Sequence, residues 1–331
     1  MKKSLLILLF TCWALFFAAF RPVMPFAAET AAFPDGTPVT GGRILMGTIG
    51  EPSNLIPYMA SDSASGEITG LLYVAPLKYD KDLNVVPWAA ASYEVLEGGR
   101  LLRFVLRDDI RWEDGVPLTA DDVEFTYKLM IDPKTPTAYS GDFLAIESFK
   151  KTGRLSFEVR YAKPFARSLM TWMGAILPKH VLEGQDIMTT PVARKPIGAG
   201  PYRLAKWDAG SMLTLTASDT YFEGRPNLDE VVYRIIPDPS TMFLELKAGK
   251  LDMMSLSPQQ YLRQTQGPQW ERDWRKYRYL SFSYTFLGFN LEHPFFKDVR
   301  VRRAISMAID RQSLIDGVLL GQGVPTVGPY K

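Results

Sequence analysis

Along residues 101–107 the chain reads LLRFVLR, with Leu102, Phe104 and Leu106 alternating against Arg103, Val105 and Arg107. A two-residue period predicts a half-buried strand, because successive strand side chains point to opposite faces. The acidic run after it ends in Asp114-Gly115, a turn pair in which glycine takes positive φ without steric penalty. Thr119 and Asp122 are then spaced as an acidic capping box, and Asp121 and Asp122 face the positive end of the helix that follows. Ala120, Val123, Tyr127 and Met130 fall on one face of that helix, which should stop before Pro133. The acids of residues 110–130 are therefore read as turn, cap and dipole partners rather than as a catalytic pair.

The same reading extends along the chain. Residues 41–50 predict a short strand between glycines, and 51–68 a polar, serine-rich loop. Leu155, Phe157 and Val159 alternate as a strand ending at Pro164, and residues 177–184 form a proline-led short helix closed by Gly184. Strands follow at Tyr202–Trp207, Met212–Ala217 and within residues 228–238. A helix capped by Ser240 buries Met242, Phe243 and Leu246 and ends at Gly249, before a short strand at Leu251–Met254. Residues 256–264 repeat the serine-then-proline helix start, and residues 277–296 are aromatic and strand-like. Asp298 caps a helix whose buried stripe is Val301, Ala304, Ile305, Ala308 and Ile309. Strands and helices mix without strict alternation, so the expected class is mixed α/β (α+β) in several lobes.

Composition changes this picture in two places. The chain has 331 residues, 47% hydrophobic, enough for two or three packed units. Its net charge of +2 leaves no basic excess for a nucleic-acid groove, so no nucleic-acid partner is expected. Residues 1–27 differ from the rest: Lys2 and Lys3 precede seventeen uncharged residues, and small residues follow near Ala27. That is the pattern of a secretory signal peptide, which directs the protein out of the cytoplasm, the alternative being an uncleaved membrane anchor, since about twenty apolar residues span a bilayer. Removal of the signal peptide would take Lys2, Lys3, Arg21 and no acid, changing the charge to −1, and would take Cys12, the only cysteine. The mature chain then carries no thiol and rests on its core rather than on disulfides.

Candidate chemistry is sparse. His180 and His293 lie far apart with no metal-ligand spacing, so neither a metal nor a cofactor is expected. There is no G-x-S-x-G and no phosphate loop, and Gly198-Ala199-Gly200 lacks the third glycine of a dinucleotide fingerprint. Ser148 and Lys151 match S-x-x-K without its partner motifs, and the Glu113/Asp114 pair would serve a glycosidase only with the right geometry.

Several stretches together resemble one family, the large extracytoplasmic solute-binding proteins (family 5) of ABC importers, of oligopeptide and dipeptide type. They are EPSNLIPYMASDS, LRFVLRDDIRWEDGVPLTADDVEFTYK, LPKHVLE, GAGPYRLAKW, ASDTYFEGRPNLDEVVYRIIPD with LKAGKLDMM, and LGFNLEHPFFKDVRVRRAISMAIDR. Ile56, Ser218 and Phe222 depart from the family pattern. The resemblance implies a three-lobed, type II periplasmic-binding-protein-like fold. Lobe I comprises residues 28–72 and 178–276, lobe II residues 73–177 inserted in it, and lobe III begins at 277 and is largely missing. It implies a monomeric periplasmic protein that binds an oligopeptide or dipeptide between lobes and delivers it to a membrane permease. Ala60, Ser61, Asp62 and Ser63 match the family's cleft loop, Tyr139 a cleft tyrosine and Asn290 a lobe III segment near the ligand. With so little of lobe III the chain is expected to bind ligand poorly. The same family also binds nickel, haem, opines and sugars, and a secreted hydrolase using carboxylate pairs is the reading from another class.

Overall fold

The computed structural model describes residues 38–279, 284–326 and 328. The expected leader, its cleavage near Ala27 and Cys12 lie outside the described residues. The described residues fall into two compact units, 38–259 and 260 onward.

The first unit is built on two four-stranded sheets. One joins β1 (Arg43–Thr48) to three strands from the far end of the unit, and the other uses only strands between residues 90 and 161. After β1 the chain forms helix α1 (Ser63–Leu72) and a two-stranded ribbon, β2 (Leu77–Tyr79) with β3 (Val85–Pro87). The second sheet follows as β4 (Ala90–Leu96), β5 (Leu101–Leu106), β6 (Ile146–Lys151) and β7 (Ser156–Tyr161), in the order β4-β5-β7-β6. Helices α2 (Ala120–Ile131) and α3 (Ser140–Leu144) lie between β5 and β6, and short helices α4 (Ser168–Thr171) and α5 (Lys179–Leu182) follow β7. The chain then completes the first sheet with β8 (Tyr202–Asp208), β9 (Met212–Ala217) and β10 (Glu230–Ile235), in the order β1-β10-β9-β8. Only β1 and β10 pair in parallel in that sheet. Helix α6 (Pro239–Lys247) comes after it.

The alternation in β5 is realised: Leu102, Phe104 and Leu106 are buried while Arg103 and Val105 are exposed. Phe104 sits directly across from Phe157 of β7, their rings stacked at 4.8 Å, and Phe149 and Trp172 extend the cluster at 5.2 and 5.3 Å from Phe157. Such offset pairs add about 0.5–1.5 kcal/mol each beyond area burial. The capping box is present at α2. The Thr119 hydroxyl accepts from the Asp121 N–H, and the Asp122 carboxylate accepts the Thr119 N–H at 2.8 Å. The other Asp122 oxygen accepts the Lys179 N–H at 3.0 Å, so one buried carboxylate starts α2 and fastens α5 beside it.

Several local readings are corrected. The stretch expected as loop through Ile68 becomes helix at Ser63, because Asp62 accepts the Ser65 N–H at 2.8 Å and closes the first turn. The cap of α6 is Asp238, not Ser240, with Pro239 in the first turn and the Thr241 N–H at 2.7 Å. The strand expected at Leu251–Met254 shrinks to one bridge between Met253 and Met46, since the Asp252 side chain takes the Leu45 N–H at 2.7 Å.

The second unit contains a π turn at Gln260–Gln264 and helices α7 (Pro268–Asp273), α8 (Pro294–Lys297), α9 (Val299–Ala308) and α10 (Arg311–Gly317). Asp298 caps α9 as expected, but Ala304 and Ala308 of its stripe are exposed and Val301, Ile305 and Ile309 only half-buried. Among the described residues of 277–290 there is no strand.

Asp122→Ala would strand two backbone N–H groups and is expected to cost about 2–4 kcal/mol in urea unfolding, with Asp122→Asn losing less. A methyl on Gly198 would lie 1.9 Å from the Leu72 carbonyl oxygen, whereas one on Gly70 meets nothing within 4 Å. Gly198→Ala should therefore cost more than about 3 kcal/mol, while Gly70→Ala should stabilise α1 by about 0.5–1 kcal/mol, read by thermal melts of both variants.

Candidate functional site

A groove of about 330 Å³ opens in the first unit, within the size range of small-ligand sites. It is lined by α1 through Gly66, Thr69 and Gly70, by the preceding loop through Tyr58 and Ala60, by Trp88 and Tyr139, and by residues 173–175. Tyr58 organises it. Its hydroxyl donates to the Ala175 carbonyl at 2.8 Å, and its carbonyl accepts from the Thr137 hydroxyl at 2.8 Å. Its ring meets Tyr139 and Phe143 edge-on, each at 6.0 Å. Its backbone sits at φ 72°, the left-handed region that side-chain-bearing residues rarely adopt. A methyl on Gly174 would come within 2.2 Å of the Tyr58 hydroxyl, so only glycine admits this approach.

Of Ser61, Asp62, Ser63, Tyr139 and Asn290, the expected ligand set, Tyr139 alone lines the groove. The Tyr139 hydroxyl reaches the Ala60 carbonyl at 3.5 Å, joining the expected tyrosine to the end of the expected loop, and both line the groove. Ser61, Asp62 and Ser63 follow Ala60 but are not among the lining residues: Ser61 and Ser63 are exposed, and Asp62 is the cap of α1. Partial burial opposes ionisation of Asp62, yet bonds from the Ser53 hydroxyl and from the Ser65 N–H and hydroxyl hold its pKa below the ordinary carboxylate range. Asn290 lies in the second unit, where its side chain accepts the Glu292 N–H at 3.0 Å.

The residues missed at first are Tyr58, Trp88, Gly174 and the Gly66/Gly70 pair. Once α1 is started at Asp62, the four-residue spacing of Gly66 and Gly70 marks a small-residue helix face. Tyr58 and Gly174 carry no such signal, because they matter only through an approach between distant stretches.

The acids of residues 110–130 have other partners. Asp114 accepts the Val116 N–H at 3.1 Å within the turn, whose Gly115 takes φ +87°, and meets His180 Nε2 at 2.7 Å. Asp121 pairs with Lys151. Glu113 accepts the Gly198 N–H at 2.9 Å while its own N–H donates to the Gly198 carbonyl at 2.9 Å. Burial pushes the Glu113 carboxyl up to about 7, opposed by the Gly198 N–H and Arg203 and reinforced by Asp114. His293 is likewise structural, its Nδ1 accepting the Phe295 N–H at 3.3 Å. Among the described residues no group of three His, Cys, Asp or Glu is placed to hold a metal ion.

Comparison with known proteins fixes the family. The model of bacterial extracellular solute-binding proteins, family 5, matches residues 84–331. The chain belongs to this family. It is 33% identical over 294 residues to the oligopeptide-binding protein AppA of Bacillus subtilis, covering 87% of this chain and 53% of that protein. This family 5 chain thus spans about half the length of such curated relatives. The structure of AppA from Bacillus subtilis in complex with a nonapeptide superposes with a TM-score of 0.80 at 31% identity, over 89% of this chain and 59% of that one. NikZ from Campylobacter jejuni in complex with Ni(L-His) gives 0.77 at 26% identity, over 87% and 57%. The mixed α/β, periplasmic-binding-protein-like fold expected for a family 5 protein is therefore present. Among the described residues no helix is long and apolar enough to cross a membrane.

Because Glu113 has a higher pKa folded than unfolded, the unfolded chain releases its proton first as pH rises. Stability should therefore fall from the ordinary carboxylate range up to about pH 7 and level off above it. Glu113→Gln keeps an acceptor for Gly198 and should flatten that fall in urea midpoints measured from pH 5 to 8. An unchanged slope would contradict the assignment.

Proposed function

We propose that this protein is the solute-binding component of an ABC-type importer. It takes a peptide against the groove beside Tyr139 and Ala60 and presents it to a membrane permease outside the cytoplasm, without chemical change. The observation carrying this reading is the meeting of Tyr139 with the Ala60 carbonyl beside the strained Tyr58, in a chain similar to a protein solved with a nonapeptide. A phenol suits such a place because its face packs while its hydroxyl bonds. Extended peptides present repeating N–H and C=O groups, which an exposed loop such as residues 60–63 can meet through its own backbone. Asp62 acts there by holding the loop against α1.

The lobes are proposed as residues 28–72 with 178–276, residues 73–177, and residues from 277. The sheet order supports the division of the first two: β1 pairs with β10 across the intervening sequence, while β4 to β7 pair only among themselves. The compact units divide at 259/260 rather than at 277. The crossings near Tyr73 and Leu177 are then the hinge about which lobes close.

One observation favours a second reading, in which the cargo is a metal chelate: the likeness to NikZ solved with Ni(L-His). Calorimetry at millimolar ligand separates the two, using a pool of di- to octapeptides and, separately, nickel with histidine. The peptide reading expects saturable heat from the pool, weakened about tenfold (about 1.4 kcal/mol) in Tyr139→Ala. Saturable heat from nickel–histidine alone would replace it with the chelate reading, and peptide cleavage seen by mass spectrometry would overturn the non-enzymatic assignment.

A further inference from the structure

Resting on the solute-binding reading above, we propose that the groove is a subsite for a neutral, apolar or aromatic side chain of the bound solute, and that Gly70 sets the room available to it.

No residue lining the groove carries a formal charge. Its polar atoms, moreover, are largely committed to the protein. The Tyr58 hydroxyl donates to Ala175, and the Trp88 indole N–H donates to the Tyr221 hydroxyl at 2.9 Å and to Glu223 at 3.2 Å. The Ser65 hydroxyl donates to Asp62 at 2.8 Å while accepting the N–H groups of Ser53 and Asn54. The Thr69 hydroxyl donates to the Gly66 carbonyl at 3.2 Å. The charges just behind this wall are likewise engaged: Asp62 in the helix cap, and Glu223 with Lys78 at 2.6 Å. What faces a ligand is side-chain surface from Trp88 and Met173, together with the bare backbone of α1 at Gly66 and Gly70.

That lining has a definite preference. An apolar group entering it sheds water on both sides and gains contacts. An ammonium or carboxylate entering it loses its hydration and finds no opposite charge, which costs several times what a mismatched methylene would. Two hydroxyls of the lining are less committed, that of Tyr139, 3.5 Å from the Ala60 carbonyl, and that of Tyr73, buried and without a hydrogen-bond partner, and neutral hydroxyls do not offset burial of a charge.

Gly66 and Gly70 supply the depth. A methyl on either meets no protein atom within 4 Å, so a side chain there would extend into open space beside the groove rather than into the core. Replacing Gly70 therefore fills the subsite without disturbing its walls.

The test uses the full chain with ¹⁵N-labelled tryptophan, the Trp88 indole signal being assigned with Trp88→Phe. The tripeptides Ala-Phe-Ala, Ala-Lys-Ala, Ala-Glu-Ala and Ala-Ala-Ala are titrated to millimolar concentration. The expected result is saturable displacement of the Trp88 signal by Ala-Phe-Ala about tenfold or more tighter than by the lysine and glutamate peptides. Gly70→Leu should lose at least about fivefold for Ala-Phe-Ala and little for Ala-Ala-Ala, with a melting temperature no lower than that of the parent. Equal affinities for the charged and aromatic peptides, or a Phe preference untouched by Gly70→Leu, would overturn the subsite while leaving peptide binding standing. If no tripeptide binds saturably at all, the subsite is overturned, and the solute-binding reading is decided by the calorimetry with the peptide pool and nickel–histidine.

Discussion

Between the two sheets of the first unit, backbone lies against backbone with no side chain between them. Gly198 and Gly200 run past the end of α1 so closely that a methyl on either would fall within 2.4 Å of the Leu71 or Leu72 carbonyl. The Gly200 N–H donates to the Leu72 oxygen at 2.8 Å, and Gly198 exchanges two bonds with Glu113. This contact joins three stretches: the end of α1, the turn after β5, and the strand lead-in to β8. Everything that faces the groove depends on it, because the same α1 carries Gly66, Thr69 and Gly70 and continues into Tyr73 and Val74. A helix displaced by one methyl at its C-terminal end would shift the groove wall along its whole length, since packed interiors transmit such strain rather than absorb it.

The acidic run serves the same junction. Glu113 clips Gly198, Asp114 holds His180 of α5, and Asp122 holds the N-terminal starts of α2 and α5. Five acids within the dozen residues from Glu113 to Glu124 invite a catalytic reading, yet each has a specific partner: the Gly198 N–H, His180, Lys151, the Thr119 and Lys179 N–H groups, and Lys128 in turn. Those partners are backbone N–H groups, lysines and a histidine, so the negative charge goes into positioning. Glu113 is the exception in degree, buried enough that its carboxyl titrates near neutrality, and it shows how far the fold goes to keep this turn against the glycine strip.

Legibility followed the range of the interaction. Strand alternation in β5, the Thr119/Asp122 box and the Asp114-Gly115 turn are set within a few residues, and they could be read directly. Helix α1 was hidden because its first turn is serine-rich, like a loop, and only the Asp62 cap distinguishes it. The α9 stripe had the right period, but period predicts which face is apolar and not what covers it. Of the candidate site, Tyr139 was legible through family resemblance. Tyr58, Gly174 and Trp88 were not, since each acquires its place from a partner far along the chain: Ala175, Tyr58 and Tyr221 respectively.

Tyr58 also shows what kind of site this is. A left-handed backbone at a bulky residue costs about 1–3 kcal/mol and persists only where the surroundings over-determine it. Here the side chain is tied to Ala175, the carbonyl to Thr137, and the ring is flanked by Tyr139 and Phe143. Those ties come from both sides of the groove, from the loop before α1 and from the stretches around α3 and α4. Strain at Tyr58 is thus held by the elements that would have to move if lobes closed about Tyr73 and Leu177. A wall assembled this way keeps its shape without ligand, and a preformed wall loses less conformational freedom when a solute settles against it.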